Sequence, residues 1–576
     1  MKTTYRIISV LCVICGFASC DSFLDDQVPQ ASLMEEEVKK PSNAEAMVVS
    51  SYAIFTTAED INSSFSMWNY DVRSDDAYKG GISTGDGGVF HQLETQQGVL
   101  TTNWNINDMW VRLYNCLSRV NATIALLNEC NATTFPMKEQ RLAEMKFLRG
   151  YGHFLLKRLF KYIPFVIKEN MTAEEYTLLG NRDFTNDEGW QKIIDDVTYA
   201  FNVLPETQSD KGRPTKGSAA AFLTKLYLYK AYRQDDVNSN QVTSVNEDDL
   251  QKVIFYSDPH YYANYDLEND MHNNFRPEER FENGVESILA IQYSRNDGST
   301  YGNLNWSYGL IPPNIPRATD GGCDFYKPTQ NLVNAYRTDA NGLPYLDTFN
   351  DKNYDKAYDN ADPRLFLTVG MPGYPYMFNK NFMMDFSATW SRSNGTYGYY
   401  VSLKHNVDPA LINEYLIKGS YWASSMNRIV FRYADVLLER AEAFAQLGQT
   451  QQAITLVNQV RARAAGSTQM IFSYPADYGV SFKVASYLGS YSKEEAIKIV
   501  KMERRLELGM ESERFFDLVR WGDAATVMNK YYATESTFRD FLNGAHFTAD
   551  KDEYLPIPFE QISAANGRYI QNIGSW

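Results

Sequence analysis

Apolar residues recur at three- and four-residue steps through most of the first 235 positions and again beyond position 426. In "RLAEMKFLRGYGHFLLKRLF", Leu142, Met145, Leu148, Gly152, Leu155 and Leu159 fall on one stripe, which predicts an amphipathic helix that Pro164 soon stops. "GRPTKGSAAAFLTKLYLYKAY" opens on turn residues and predicts a small-residue helix able to pack closely. In "YADVLLERAEAFAQLGQTQQAITLVNQVRARAAG" one helix presents Ala434, Leu437, Ala441, Phe444 and Ala445, and a second presents Ala453, Val457, Val460 and Ala464. Gly448 breaks the first, and Thr450 is the candidate N-cap of the second. Small residues at Ala441 and Ala453 let the two approach, as in a tetratricopeptide-type hairpin. One such unit is not an array, so an unrelated antiparallel pair is the competing reading. "EEAIKIVKMERRLELGMESERFFDLVRWGDAA" adds another helical pair.

Between roughly 236 and 425 the pattern changes. Gly, Pro, Asn, Asp, Tyr and Trp dominate, helices are few, and the strands "SILAIQY" and "RLFLTV" are short. Long loops inside a compact domain are usually functional or disordered, and aromatic richness argues against disorder. The expected architecture is therefore mostly α: a tetratricopeptide-like helical scaffold from about 20–235 and 426–576, carrying a loop-rich lobe of about 236–425.

The start of the chain reads differently. Lys2 and Arg6 precede an apolar run from Ile7 to Ala18, the charged and hydrophobic regions of a secretory signal too short to span a bilayer. Ala18 and Ser19 stand directly before Cys20, which resembles a bacterial lipobox apart from Phe17, where leucine is usual. Cys12 and Cys15 fit less well, because Leu11 and Ile14 are bulky before the cut. Residues 1–19 are thus expected to be a lipoprotein signal peptide, and Cys20 the acylated (palmitate-type) anchor of the mature protein. Asp21, Asp25 and Asp26 just beyond it resemble a surface-export signal of Bacteroidetes lipoproteins.

Charge and composition narrow the chemistry. A net charge of −16 argues against nucleic acid, which demands a basic footprint. Beyond the signal region only Cys116, Cys130 and Cys323 remain, and the first two lie too far apart along one helix to bridge. The six histidines never pair at metal-ligand spacing, "GGISTGDGGVF" lacks the order and lysine of a phosphate loop, and neighbouring Asp75 and Asp76 lack the facing geometry of glycoside hydrolysis. "DKNYDKAYDNAD" imitates a calcium loop through Asp351, Asn353 and Asp355, but Lys356 and Asp362 stand where glycine and glutamate belong. Neither a cofactor, a metal nor a catalytic role is expected. Arg432, Asp435, Glu439, Arg504, Arg505, Glu507, Arg514, Asp517 and Arg520 have the spacing of ion pairs that tie helices together.

Aromatic content is the unusual number: 40 Tyr, 32 Phe and 9 Trp make 14% of the chain, and several stand in polar loops. A flat ring covers the apolar face of a sugar while carboxylates, amides and guanidinium groups take its hydroxyls. In "TTNWNINDMWVRLYN", Trp104 precedes the helix and is the best platform, whereas Trp110 and Tyr114 lie inside the helix and read as core. Asp60, Asn62 and Asp86 come from polar loops upstream; Trp306, Cys323, Trp390, Arg392, Tyr421 and Trp422 come from the lobe.

The stretches "AEMKFLRGYGHFLLKRLFKYIPFV", "GRPTKGSAAAFLTKLYLY", "ADPRLFLTV", "NRIVFRYADVLLERAEA", "ERRLELGMESERFFDLVRWG" and "YLPIPFEQI…IQNIGSW" together resemble the SusD/RagB family, in order and across the mature chain. Gly150 replaces a frequent alanine, and Ile573 a frequent proline. The resemblance implies an outer-membrane lipoprotein facing the cell exterior, without catalysis, that captures a glycan for a SusC-like TonB-dependent transporter. It also points to the levan-binding branch, where Trp104, Asp60, Asn62, Asp86, Cys323, Arg392 and Tyr421 match the ligand-binding types in order. A RagB-like peptide-uptake subunit and a surface glycoside hydrolase are the competing functions.

Overall fold

The computed structural model describes residues 40–57, 70–295, 297–298, 303–305, 312, 322–417 and 423–576. Cys20, Asp60, Asn62, Trp306, Tyr421 and Trp422 lie outside the described residues.

Helices α1 (Ala44–Thr57), α2 (Gly88–Thr95), α3 (Trp104–Glu129) and α4 (Lys138–Phe160) build the first part of the frame, with strand β1 (Ala77–Gly80) between α1 and α2. Helix α4 departs from the amphipathic expectation. Its stripe is buried, but so are Arg141, Glu144, Arg149, His153, Lys157 and Arg158 on its other faces. The charges are tolerated there because each has a partner: Arg149 forks onto Asp196 at 2.7 Å, and Lys157 donates to the Asn186 side chain at 2.8 Å. Helix α3 packs on one side of α4 and α5 (Asn186–Val203) on the other. A Cβ at Gly150 would stand 2.8 Å from the Val197 side chain, so glycine permits the close approach of α4 to α5.

The frame continues through α6 (Lys216–Ala231) and α7 (Glu247–Tyr256). Thr215 and Ser218 close a capping box at the start of α6, the turn that "GRPTKGS" predicted. Helix α7, inside the segment expected to be loop-rich, packs on α6 and on the later α8. Beyond it run β2 (Ser287–Ile291), β3 (Phe325–Pro328), β4 (Arg428–Arg432), α8 (Tyr433–Gln446), α9 (Thr450–Gly466), α10 (Lys493–Leu508), α11 (Arg514–Trp521) and α12 (Ala524–Glu535). Helices α8 and α9 form the hairpin read from "YADVLLERAEAF", with Ala441, Ala453, Val457 and Val460 fully buried. Thr450 is the first residue of α9 rather than its cap; Gln449 holds that position and no side chain caps it.

Two short antiparallel sheets join distant parts of the chain: β1 pairs with β3 (Ala77 opposite Pro328), and β2 with β4 (Arg428 opposite Ile291). "SILAIQY" is thus a strand, but "RLFLTV" is not. Arg364–Thr368 forms a helical turn, because the Asp362 carboxylate accepts the Arg364 N–H at 3.0 Å and its guanidinium as well, leaving only Val369–Gly370 extended.

The charged signature residues knit these elements together. Arg432 reaches Glu286 (2.8 Å), Glu507 (2.7 Å) and Glu511 (2.8 Å); Arg364 reaches Asp362, Glu503 and the other oxygen of Glu507. Arg504 bridges Asp435 and Asp517 at 2.9 Å each, Arg520 binds Glu442 and Asp517, and Lys225 holds Asp435 and Glu439. Asp75 and Asp76 face Arg505 and Arg514. These are the helix-tying pairs that the spacing predicted.

Candidate functional site

Asp86, Cys323 and Arg392 lie at or next to the β1–β3 ladder. Strand β1 ends at Gly80 and leads into the loop "GISTGD". Asp86, at its end, accepts the Ile82 N–H at 3.0 Å through the carboxylate oxygen that lies 3.7 Å from the Arg392 guanidinium. Arg392 is fixed from behind, since its own N–H donates to the Asp324 carboxylate at 2.9 Å. Cys323, half buried, immediately precedes Asp324 at the entry to β3. Both members of the Asp86–Arg392 pair are part-exposed, so hydroxyl groups of a ligand can compete for them.

Helix α2 follows the loop and carries Phe90, whose ring stands nearly perpendicular to that of Trp104, with centroids 6.2 Å apart. Trp104 opens α3, where Asn103 caps the helix by accepting the N–H groups of Asn105 and Ile106. The indole therefore sits in the first turn rather than in the loop before it, and 58% of the residue remains exposed. Trp110 is buried against Phe160 and Tyr114, and Tyr114 donates to the Pro164 carbonyl, so both belong to the core as read from the sequence.

The structure thus brings Asp86 and Arg392 together beside Cys323, while Trp104 stands against Phe90 of α2, the helix that follows the Asp86 loop. Trp390 does not join them. Its ring is buried against Tyr376 at 5.4 Å in a core of the lobe, although "ATWSRS" gave it polar neighbours. Sequence reading passed over Lys79, Phe90 and Asp324, which hold the site from beneath; a lysine between "AY" and two glycines was the available signal.

Several carboxylates elsewhere are committed to their own chain. In the calcium-like stretch Asp362 is spent on Arg364, and one Asp355 oxygen accepts the N–H of Ala357. Among the described residues no group of three His, Cys, Asp or Glu is placed to hold a metal. Burial pushes His153 and His272 down to about 3 and His405 to about 4, which keeps these rings neutral; Val166 N–H donates to His153 Nε2.

The molecule is thus a mostly helical frame that carries a loop-built, part-exposed cluster of polar side chains and an exposed tryptophan. The description "SusD family" matches residues 285–575, and "Starch-binding associating with outer membrane" matches residues 22–228. The chain belongs to the SusD family. It is similar to SusD-like protein P25 of Formosa agariphila, 23% identical with 98% of this chain and 100% of that one covered. Among solved structures, a SusD homolog from Bacteroides thetaiotaomicron superposes with a TM-score of 0.70 at 19% identity, covering 94% of this chain and 99% of that one. Surface glycan-binding protein A from Bacteroides thetaiotaomicron, in complex with laminarihexaose, gives 0.62 at 20% identity, with 92% and 99% covered. Likeness at these identities establishes a shared fold.

Proposed function

We propose that the protein is a cell-surface lipoprotein, anchored in the outer membrane through Cys20, that captures a glycan and hands it uncut to a SusC-like TonB-dependent transporter. The observation that carries this reading is the exposed Trp104 indole, set against Phe90, together with the part-exposed pair of Arg392 and Asp86, the latter on the loop that leads into the Phe90 helix. An indole face covers sugar C–H groups, and the ion pair supplies an acceptor and donors for hydroxyls. Family membership and the relative solved with laminarihexaose support the ligand class. Within that class the residue set resembles levan-binding members, so Asp60, Asn62, Cys323 and Tyr421 complete the proposed contact set and levan is the first ligand to try, with laminarin beside it.

Affinity gel electrophoresis against levan, laminarin and starch tests the proposal. Retardation by at least one glycan is expected, together with its loss in Trp104→Ala and no release of reducing sugar. Indifference to every polysaccharide, with peptides found by mass spectrometry on the purified complex, would favour the peptide-uptake reading instead. Gentle detergent extraction should also bring down a large outer-membrane transporter; recovery of the protein alone would remove the delivery step.

A further inference from the structure

Lys79 is a buried lysine whose ammonium hydrogen-bonds to backbone carbonyls instead of a carboxylate. It sits on β1, where Tyr78 faces Lys327 and Gly80 faces Phe325 across the ladder. The residue is fully buried, and its ammonium donates to the carbonyl oxygens of Gly80 (2.8 Å), Ser83 (3.0 Å) and Asp86 (2.6 Å). An ammonium has three protons, and here each has one acceptor. The Phe325 and Tyr397 rings flank it at 5.4 and 5.1 Å. The nearby Glu94 carboxylate is occupied, accepting the Lys79 backbone N–H at 2.7 Å and meeting His91 at 3.0 Å.

The loop it gathers has little else to hold it. Asp86 N–H reaches the Ser83 carbonyl at 3.1 Å, and Gly81 N–H the Asp324 carbonyl at 2.9 Å. Gly81 adopts φ +82°, and a Cβ there would stand 2.8 Å from the Asp86 carboxylate and 2.3 Å from the Phe325 ring, so the loop curls tightly round the ammonium. Turning three carbonyls inward leaves the Asp86 side chain facing Arg392. We propose that Lys79 is a positioning residue that clamps the 80–86 loop and aims Asp86 at Arg392, so that loss of its charge at alkaline pH releases the binding site.

This rests on the glycan-capture reading above. Burial lowers the Lys79 ammonium to about 8, against the opposing pull of Glu94 and Asp86. Other titratable groups on the elements packed against it are His91 on α2, which meets Glu94, Asp324 just before β3 and Lys327 on β3, which pair with each other, and Tyr397, whose ring flanks the ammonium. A neutral amine keeps only two donors for three carbonyls. Lys79's own contribution to global stability moves the other way: a lysine whose folded value lies below its unfolded one adds stability as pH rises from about 8 towards the ordinary lysine value. Lost binding in that window therefore cannot come from Lys79 titration destabilising the fold, and urea midpoints measured over the same range separate it from unfolding by other groups.

The test uses the full-length protein, Lys79→Met and Trp104→Ala, with hydrogen exchange of the 81–86 amides (corrected for intrinsic rate) and glycan affinity measured from about pH 7 to about pH 9. Wild type should lose roughly tenfold in affinity and in loop protection, the worth of one charge-assisted hydrogen bond. Lys79→Met should be weak and flat across the range, with protection lost only in the loop. Trp104→Ala should lose affinity while keeping the loop's protection and its pH dependence. If Lys79→Met keeps wild-type loop protection, or the pH dependence survives in it, the clamp is wrong. If Trp104→Ala binds like wild type, Trp104 leaves the proposed site; if wild type binds no glycan at all, the glycan reading fails while the exchange data still judge Lys79. Should Lys79→Met not fold, the wild-type pH series decides alone, and protection unchanged up to about pH 9 would overturn the proposal.

Discussion

Three tryptophans show how one residue type takes different roles. Trp110 fills the core between α3 and the end of α4, Trp390 fills a lobe core against Tyr376, and Trp104 stands 58% exposed on its helix cap. Truncating a buried tryptophan removes a large packed surface and leaves a cavity, so Trp390→Ala should cost about 3–5 kcal/mol in urea unfolding. Trp104→Ala should stay within about 0.5 kcal/mol of wild type in the same experiment, because little of its packing is lost. The reverse order would contradict the burial described here. Position 104 was legible because helix periodicity begins just after it, placing the ring at an end. Position 390 was not, since its partners Tyr376 and Val401 come from loops whose folding no local pattern announces.

Among elements, α10 carries the densest load. Glu507 accepts from Arg364, Arg432 and Arg463, which come from the lobe, β4 and α9. These cations hold its carboxyl well below the usual range despite complete burial. Glu507→Ala would leave three buried guanidinium groups short of an acceptor, and about 3–5 kcal/mol of destabilisation is expected in chemical denaturation. A loss below about 1 kcal/mol, as for a surface pair, would refute that role. The helical spacing of the signature residues revealed that they would pair, and the turn chemistry of "GRPTKGS" and Gly448 revealed where helices start and stop. Periodicity failed where tertiary contacts overrode it. Helix α4 reads as one-sided because its arginines look solvated, yet Asp196 arrives from α5 to bury Arg149. "RLFLTV" has strand composition, but the Asp362 side chain turns it into a helix.

At the scale of the whole molecule, buried charge sets the response to acid and base. Arg505 and Arg514 hold Asp75 down to about 2, and Arg520 holds Glu442 to about 2 although burial opposes both. Groups lowered in the fold stabilise it above their unfolded values, and that stabilisation is lost as pH falls from about 4.5 towards 2. Asp71 and Glu535 behave oppositely. Burial raises each to about 7, so their contribution is complete below about 4 and disappears as pH rises through 7. The two sets therefore flank an optimum near pH 4 to 4.5, far from the alkaline window of Lys79. Urea midpoints measured across pH should be highest there and fall on both sides. Glu535→Gln keeps the shape of the protonated acid and cannot ionise, so it should flatten the descent between about pH 5 and 8 while leaving the acid limb intact. An alkaline limb unchanged by that substitution would show that Glu535 ionises freely in the fold, and that its burial at the end of α12 is not what limits stability at neutral pH.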